Sequence, residues 1–191
     1  MTPSLLSLPI PAFSRMLGNL SALLAKAEAF ALAQGQDPDG LLGRRLAPDM
    51  FPLARQAEIA ADGARGSVAR LAGRLAPETE DPAFAVFNRG FERQFPPPAA
   101  TMRDLVAHVD AARLYVEGVA DGELEGAWDR RIVVAMDGRA RLFDAVPFLV
   151  HYALPNFHFH VAMAYAILRA AGVPLGKQDF EGAPVYASAP A

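Results

Sequence analysis

The stretch that decides the fold is PNFHFHVAMAYAILRAAGVPLGKQDFEG, which runs from Pro155 to Gly182. Most of it is typical of a helix buried in a bundle, yet it contains two histidines, an asparagine and a tyrosine. A buried polar group costs ~1–3 kcal/mol unless it is hydrogen-bonded. These polar residues therefore indicate either a binding site or an internal hydrogen-bond network.

The helical repeat separates the polar residues of this stretch onto two faces. Successive residues of a helix turn by about 100°, so side chains four positions apart share a face. Asn156 and His160 are therefore expected on the core-facing side and His158 on the opposite side. His160 is interpreted either as a neutral core histidine or as a ligand or catalytic contact. Asn156 is interpreted as a residue that repairs the backbone freed by Pro155.

The rest of the chain predicts a mostly α-helical, antiparallel bundle with one β-hairpin. Apolar residues recur at helical spacing, and turn and cap signals separate the elements. A second helix is expected to be capped by Asp49, with Glu58 facing solvent; its Gly63 and Gly66 permit close approach of a neighbour. Asp137-Gly138 suits the tight turn of a hairpin. The predicted helices cover 10–34, 49–73, the segment that follows the capping pattern of Thr101 and Asp104, and 144–172 with a kink near 155; the hairpin covers 131–143.

Residues 74–100 form the least regular part of the sequence. Asp81-Pro82 predicts a short helix, which Pro96-Pro97-Pro98 ends. The phenylalanines of this region are interpreted as core or lid aromatics rather than as a cofactor site. They are Phe84, Phe87, Phe91 and Phe95.

Composition excludes several functional classes. The net charge is −3 and no block of Lys or Arg occurs, which disfavours nucleic-acid binding. The absence of cysteine excludes disulfides and thiolate chemistry. No signal peptide and no window of about 18 uninterrupted apolar residues is found, so no membrane span is predicted and a cytoplasmic protein is expected. Motifs of dinucleotide, P-loop, zincin and serine-hydrolase sites are absent.

Three segments together resemble a known family. They are SLPIPAFSRMLGNLSALLAKAEA (7–29), LAPDMFPLARQ (46–56) and PNFHFHVAMAYAILRAAGVPLGKQDF (155–180). The resemblance is to a bacterial family of domains of unknown function grouped with the DinB/YfiT-like superfamily of proposed metalloenzymes. It implies an up-down-down-up four-helix bundle, often dimeric. One such domain would cover 1–182, with 82–98 as an insertion and 183–191 as a flexible tail.

The resemblance also implies where a metal would lie in the superfamily. Three histidines, one on helix 2 and an HxxxH pair on helix 4, hold a divalent ion there in thiol-dependent transferases and isomerases. In this chain His160 matches the second histidine of the pair and Asn156 the first. Met50, Leu53 or Gln56 occupies the neighbourhood of the helix-2 histidine. One imidazole with two carboxamides is a poor zinc or nickel site, so a resident divalent metal is disfavoured; His160 would be its ligand if one bound.

The leading hypothesis is a protein that binds a small polar ligand in a pocket between helices 2 and 4. The predicted pocket residues are Met50, Gln56, Asn156, His160 and Tyr165. The alternatives are a metal- or thiol-dependent transferase or isomerase with His160 as catalytic residue, and a dimeric interaction protein without catalysis.

Excess apolar residues on the first and last helices predict a homodimer. Phe157, Val161 and Leu168 lie away from the expected core stripe of the last helix. Helix 1 has a similar excess at Met16, Leu23 and Phe30. Such a surface must be covered either by the hairpin and residues 82–95 or by a second copy of the chain.

Overall fold

The computed structural model describes residues 8–136 and 138–187, which are mostly helical with one two-stranded antiparallel sheet. The three helices before the sheet are α1 (Pro9–Ala33), α2 (Leu53–Leu71) and α3 (Met102–Glu117). The sheet consists of β1 (Arg131–Met136) and β2 (Arg139–Asp144). The helical run after it consists of α4 (Ala145–Pro147), a π-helical turn (Phe148–Ala153) and α5 (Leu154–Ala170), followed by the short α6 (Lys177–Glu181).

Helix α1 packs mainly against α3 and covers the core with one apolar face. Phe13, Leu17, Leu20 and Leu24 are fully buried on that face. By length and composition alone α1 could cross a membrane, although the sequence predicted no such span. A core helix passes the same test, and the burial of these side chains accounts for the composition.

Helix α2 lies at the centre and contacts α3 and α5 most extensively. Nearly every residue from Leu53 to Leu71 is buried, so neighbours surround it on all sides. The prediction that Asp49 caps this helix is wrong, because α2 begins after Pro52 without a side-chain cap. The amides of Leu53 and Ala54 instead donate to carbonyl oxygens in the preceding loop, at 2.9 and 3.1 Å. Backbone carbonyls thus satisfy two of the free N–H groups at the start of the helix.

The predicted helix 3 and hairpin are confirmed. The hydroxyl of Thr101 accepts a hydrogen bond from the amide of Asp104 at 3.1 Å and caps α3. The hairpin pairs Arg131 with Asp144 at its open end. Gly138 has a φ of +71°, as its place in the turn requires, while Asp137 lies outside the described residues.

The last long helix begins after Asp144 as predicted, and its regular α-helical pattern is interrupted just before Pro155. A π-helical turn occupies Phe148–Ala153. Proline has no N–H and its ring meets the carbonyl four residues earlier, here that of His151. The π-helical turn therefore lies where a regular helix would have conflicted with the ring.

The buried face of α5 differs from the predicted stripe. Phe157, Val161 and Leu168 are fully buried, whereas Asn156 and His160 lie at the edge of that face and are partly exposed. The physical reason is that α5 packs against α1 as well as α2, and the rings of Phe157 and Phe13 are 4.9 Å apart.

This packing removes the argument on which the homodimer rested. The supposed surplus residues of α5 are covered by other helices of the same chain, and Met16 and Leu23 of α1 are buried as well. The homodimer stays a prediction, now without support from these positions.

Residues 82–98 form a covering segment that lies along α2. Only two short 3-10 turns occur in it, Pro82–Phe84 and Glu92–Gln94, so its phenylalanines do not share a helical face. The helix predicted to run from Asp81-Pro82 to Pro96 is wrong: Asp81 begins only the turn Pro82–Phe84, where its carboxylate accepts from the amide of Ala83 at 2.9 Å. A Cβ atom at Gly66 would lie only 2.3 Å from the carbonyl oxygen of Phe84. The glycine therefore permits the backbone contact between α2 and this segment.

We expect Gly66→Ala and Gly18→Ala to have opposite effects on stability. Both lie inside helices, where alanine is intrinsically favoured by up to ~1 kcal/mol. At Gly18 the nearest atom is 3.7 Å from a new Cβ, so the substitution should stabilise the protein. At Gly66 the clash with backbone should lower the free energy of unfolding by about 1–3 kcal/mol. Urea unfolding measures both, and equal shifts would contradict this account of the contact.

Candidate functional site

A hydrogen bond between Gln56 of α2 and His160 of α5 forms the centre of the candidate site. His160 Nδ1 and Gln56 Oε1 are 2.7 Å apart. The amide nitrogen of Gln56 donates to the carbonyl of Phe51 at 3.2 Å, which fixes the orientation of the carboxamide. Because a carboxamide oxygen only accepts, Nδ1 of the neutral imidazole carries the proton. The lone pair of the ring is therefore on Nε2.

Burial keeps this imidazole neutral. It lowers the pKa of His160 from 6.5 to about 4 because the charged form loses its hydration. Within residues 8–136 and 138–187, no side chain or backbone amide donates a hydrogen bond to Nε2. At neutral pH the ring is accordingly a hydrogen-bond acceptor and only a weak base.

The ring of Phe87 lies over His160. The two rings are stacked, with centroids 5.8 Å apart and planes within 6°. The tip of the Phe87 ring rests on α2 at Gly63, where an added Cβ would lie 2.2 Å from it. Phe87 has a φ of +52°, a conformation that bulky residues rarely adopt. The covering segment thus places an aromatic ring directly against the Gln56–His160 pair.

Tyr152 holds the backbone of the covering segment in this position. Its hydroxyl lies 2.9 Å from the carbonyl oxygen of Val86 and 3.1 Å from that of Phe87, so the two carbonyls share its single O–H hydrogen. Arg141 of β2 donates to the same hydroxyl at 3.0 Å. Burial raises the pKa of the Tyr152 hydroxyl, so it stays protonated and able to donate. Tyr152 belongs to the π-helical turn, a feature that often occurs at functional sites.

The other predicted site residues lie at different distances from this pair. Asn156 is one turn before His160, and its side-chain amide donates to the carbonyl of Tyr152 at 2.7 Å, not to that of His151, which lies four residues before the proline. Tyr165 packs on Phe180 of α6, with centroids 5.9 Å apart, and faces away from His160. Met50 lies in the turn before α2, where its carbonyl accepts from Arg45 at 2.6 Å. Gln56 and His160 are thus together, Asn156 is near, and Tyr165 is not brought to them.

Sequence reasoning missed two features of the site. Phe87 was interpreted only as a core or lid aromatic, without a partner, and Tyr152 was not considered. The usable signal was the pair of glycines at 63 and 66, which the sequence suggested would admit a close neighbour. That neighbour is the covering segment.

The prediction that Glu58 faces solvent is wrong. Its side chain is buried and accepts from Arg55 at 2.7 Å and from the amide of Ala99 at 2.7 Å. Burial raises the pKa of the Glu58 carboxyl, with Arg55 and the Ala99 amide acting in the opposite direction. Arg55 also donates to the carbonyl of Pro96 at 2.9 Å. This buried pair therefore fastens the end of the covering segment to α2.

The donor set at the site does not fit a tightly bound transition metal. Gln56 Oε1 already accepts a hydrogen bond from His160 Nδ1. This leaves one imidazole nitrogen, His160 Nε2, as a strong metal ligand. Among residues 8–136 and 138–187, no group of three His, Asp or Glu side chains is arranged to hold an ion. Three surface cavities of about 580, 350 and 250 Å³ lie elsewhere, beside α6 and around the hairpin.

Comparison with known proteins places the chain in a family. The model of the domain of unknown function DUF1993 matches residues 5–181. The chain belongs to the DUF1993 family. A crystal structure of a DinB family member protein from Shewanella denitrificans is 33% identical, with a TM-score of 0.76, and the alignment covers 97% of this chain and 96% of that one. No curated protein matches. This DUF1993 protein therefore has a DinB-like fold, as the resemblance implied.

We expect His160 to make the DUF1993 protein less stable in mild acid. Its pKa is about 4 when folded and 6.5 when unfolded, so the unfolded chain binds the proton more tightly. Stability should fall as the pH drops from 6.5 towards 4, by about 2 kcal/mol between pH 7 and pH 5. His160→Gln removes this titration, and urea unfolding at both pH values measures the difference. Identical pH profiles of wild type and variant would contradict the low pKa.

The two histidines of the HFH run should respond differently to truncation. His160→Ala leaves Gln56 Oε1 without its donor, so we expect a loss of about 1–3 kcal/mol. His158 is exposed, and His158→Ala should be nearly neutral. Thermal unfolding at pH 7.5 compares them. Equal melting temperatures would show that the Gln56–His160 bond does not stabilise the fold.

Proposed function

We propose that this DUF1993 protein binds a small neutral polar ligand between α2 and α5, with His160 Nε2 as the hydrogen-bond acceptor. The observation that carries the proposal is the 2.7 Å bond from His160 Nδ1 to Gln56, because it directs the lone pair to the other nitrogen. The ligand would supply a hydroxyl or N–H donor. Gln56 would act by holding the tautomer and the ring orientation.

The low pKa of His160 favours binding over proton abstraction. A general base works best with a pKa near the working pH, and a value of about 4 makes the imidazole a poor acceptor of a full proton at pH 7. A transferase or isomerase with His160 as its base has correspondingly less support. The poor donor set gives a resident divalent metal little support as well.

A cytoplasmic location follows from the sequence alone and stays a prediction. A homodimer would have to use apolar residues that the single chain leaves exposed. Val146, Val150 and Phe159 on the outer side of the last helical run are such residues.

Two hydroxyl-bearing probes, phenol and cyclohexanol, test the proposed site. We expect phenol, and cyclohexanol at higher concentration, to shift the ¹⁵N resonance of His160 Nε2 in long-range NMR spectra at pH 7.5, because each can donate to the free lone pair. The resonances of His158 serve as the internal control and should stay unchanged. If neither alcohol moves the His160 signal, the proposed function is wrong.

Metal analysis of untagged protein tests the alternative. We expect well below one zinc, nickel or manganese ion per chain, since only one imidazole nitrogen is available. One firmly bound ion per chain that is lost in His160→Gln, but retained in His158→Gln, would overturn the proposal in favour of a metalloenzyme.

A further inference from the structure

Two aromatic rings lie against the imidazole of the Gln56–His160 pair: Phe159 meets it edge-on from α5, at 5.3 Å between centroids, and Phe87 stacks on it from the covering segment. The ring of Phe87 covers one face of the imidazole, and its tip touches α2 at Gly63. The ring of Tyr152 lies edge-on to that of Phe87, with 6.3 Å between the centroids. A ligand that is to stack on this face of the imidazole, between α2 and α5, would therefore have to take the place of the Phe87 ring.

We call the observed position of the covering segment, with the Phe87 ring against His160, its closed position. This position costs free energy at two neighbouring residues. A bulky residue at positive φ is strained by about 1–3 kcal/mol, and Phe87 has such a backbone. The side-chain oxygen of the next residue, Asn88, is buried without a hydrogen-bond partner, although its amide donates to the carbonyl of Ala135 at 2.6 Å. Bonds from Tyr152 and burial of the Phe87 ring offset these costs. Movement of residues 84–88 would relieve both the strain and the unpaired oxygen.

We propose that Phe87 stands in the place of a ligand's flat ring, so that the site takes an aromatic or heteroaromatic molecule with a hydroxyl or N–H donor. Residues 84–88 move aside when this molecule enters. The inference rests on the proposed function, since it names the class of ligand that the Gln56–His160 site binds.

The space that the Phe87 ring occupies between His160 and Gly63, which we call the slot, fits a flat ring better than a puckered one. The imidazole of His160 is parallel to the Phe87 ring within 6°, which is the arrangement of an offset aromatic stack. Gly63 has no side chain, so the tip of a ring can lie directly on the helix backbone. A saturated ring is thicker and would meet either the imidazole or α2. An aromatic ligand would instead keep the stack while its donor reaches Nε2.

Tyr152 holds the covering segment in the closed position. Its hydroxyl contacts the carbonyl oxygens of Val86 and Phe87, the two residues that must move. Its ring packs within the core cluster beside Phe148 and does not depend on these bonds. Tyr152→Phe should therefore loosen the segment while leaving the fold intact.

Phenol and cyclohexanol titrations of three variants test the inference, with the His160 Nε2 resonance as readout. In Phe87→Ala the slot is empty, so phenol should bind at least about tenfold more tightly than to wild type if fewer than about one molecule in ten is open. Tyr152→Phe keeps the Phe87 ring in the protein but loses the hydrogen bonds from the Tyr152 hydroxyl to the covering segment. It should bind phenol a few-fold more tightly than wild type does. Phe91→Ala, an exposed residue of the same segment, is the matched control and should equal wild type.

The outcomes separate this inference from the proposed function. Phenol affinity unchanged in both Phe87→Ala and Tyr152→Phe would overturn the displacement of Phe87; if Phe87→Ala proves unstable, unchanged affinity in Tyr152→Phe overturns it. If cyclohexanol binds as tightly as phenol, the inference that the ligand has a flat ring is wrong. A shifted His160 signal would still support the proposed site. Failure of both alcohols in every protein would overturn the two proposals together.

Discussion

The burial of α2 on all sides is the constraint on which the rest of the structure depends. A helix in this position cannot leave its polar side chains to water, so each must be hydrogen-bonded within the protein. Arg55 pairs with Glu58, and Gln56 bonds to His160. Arg70 donates to carbonyls of residues as distant as Val133. Each bond fastens a different part of the chain to α2, so the central helix sets where the covering segment, β1 and α5 lie.

The candidate site follows from the same constraint. Gln56 needs a partner, and His160 provides one from the facing helix. The burial that this requires also lowers the pKa of the imidazole and keeps the ring neutral. His160 could be a core histidine in a hydrogen-bond network or a residue that binds a ligand. Both interpretations have the same geometry. What distinguishes them is the free Nε2 and the strained Phe87 beside it.

Much of the fold could be predicted from sequence because its signals are local. Helical spacing of apolar residues set α1, the Thr101 cap set the start of α3, and the Asp137-Gly138 pair indicated the hairpin. Local signals gave wrong predictions where the hydrogen-bond partner is a backbone group elsewhere in the chain. The start of α2 is satisfied by loop carbonyls rather than by Asp49, and Glu58 is buried by a segment about forty residues further along.

The sequence by itself determined the helical elements, the hairpin and the family to which the chain belongs. It also indicated His160, because polar side chains in an apolar pattern need partners, while Gln56 was indicated by the family resemblance. Only the tertiary structure decided that these two bond to each other across 104 positions, and that Phe87 and Tyr152 close the site over them. The physical reason is range. Helical periodicity and capping act within a few residues, whereas the stacking of a ring on an imidazole depends on how a covering segment packs on a buried helix.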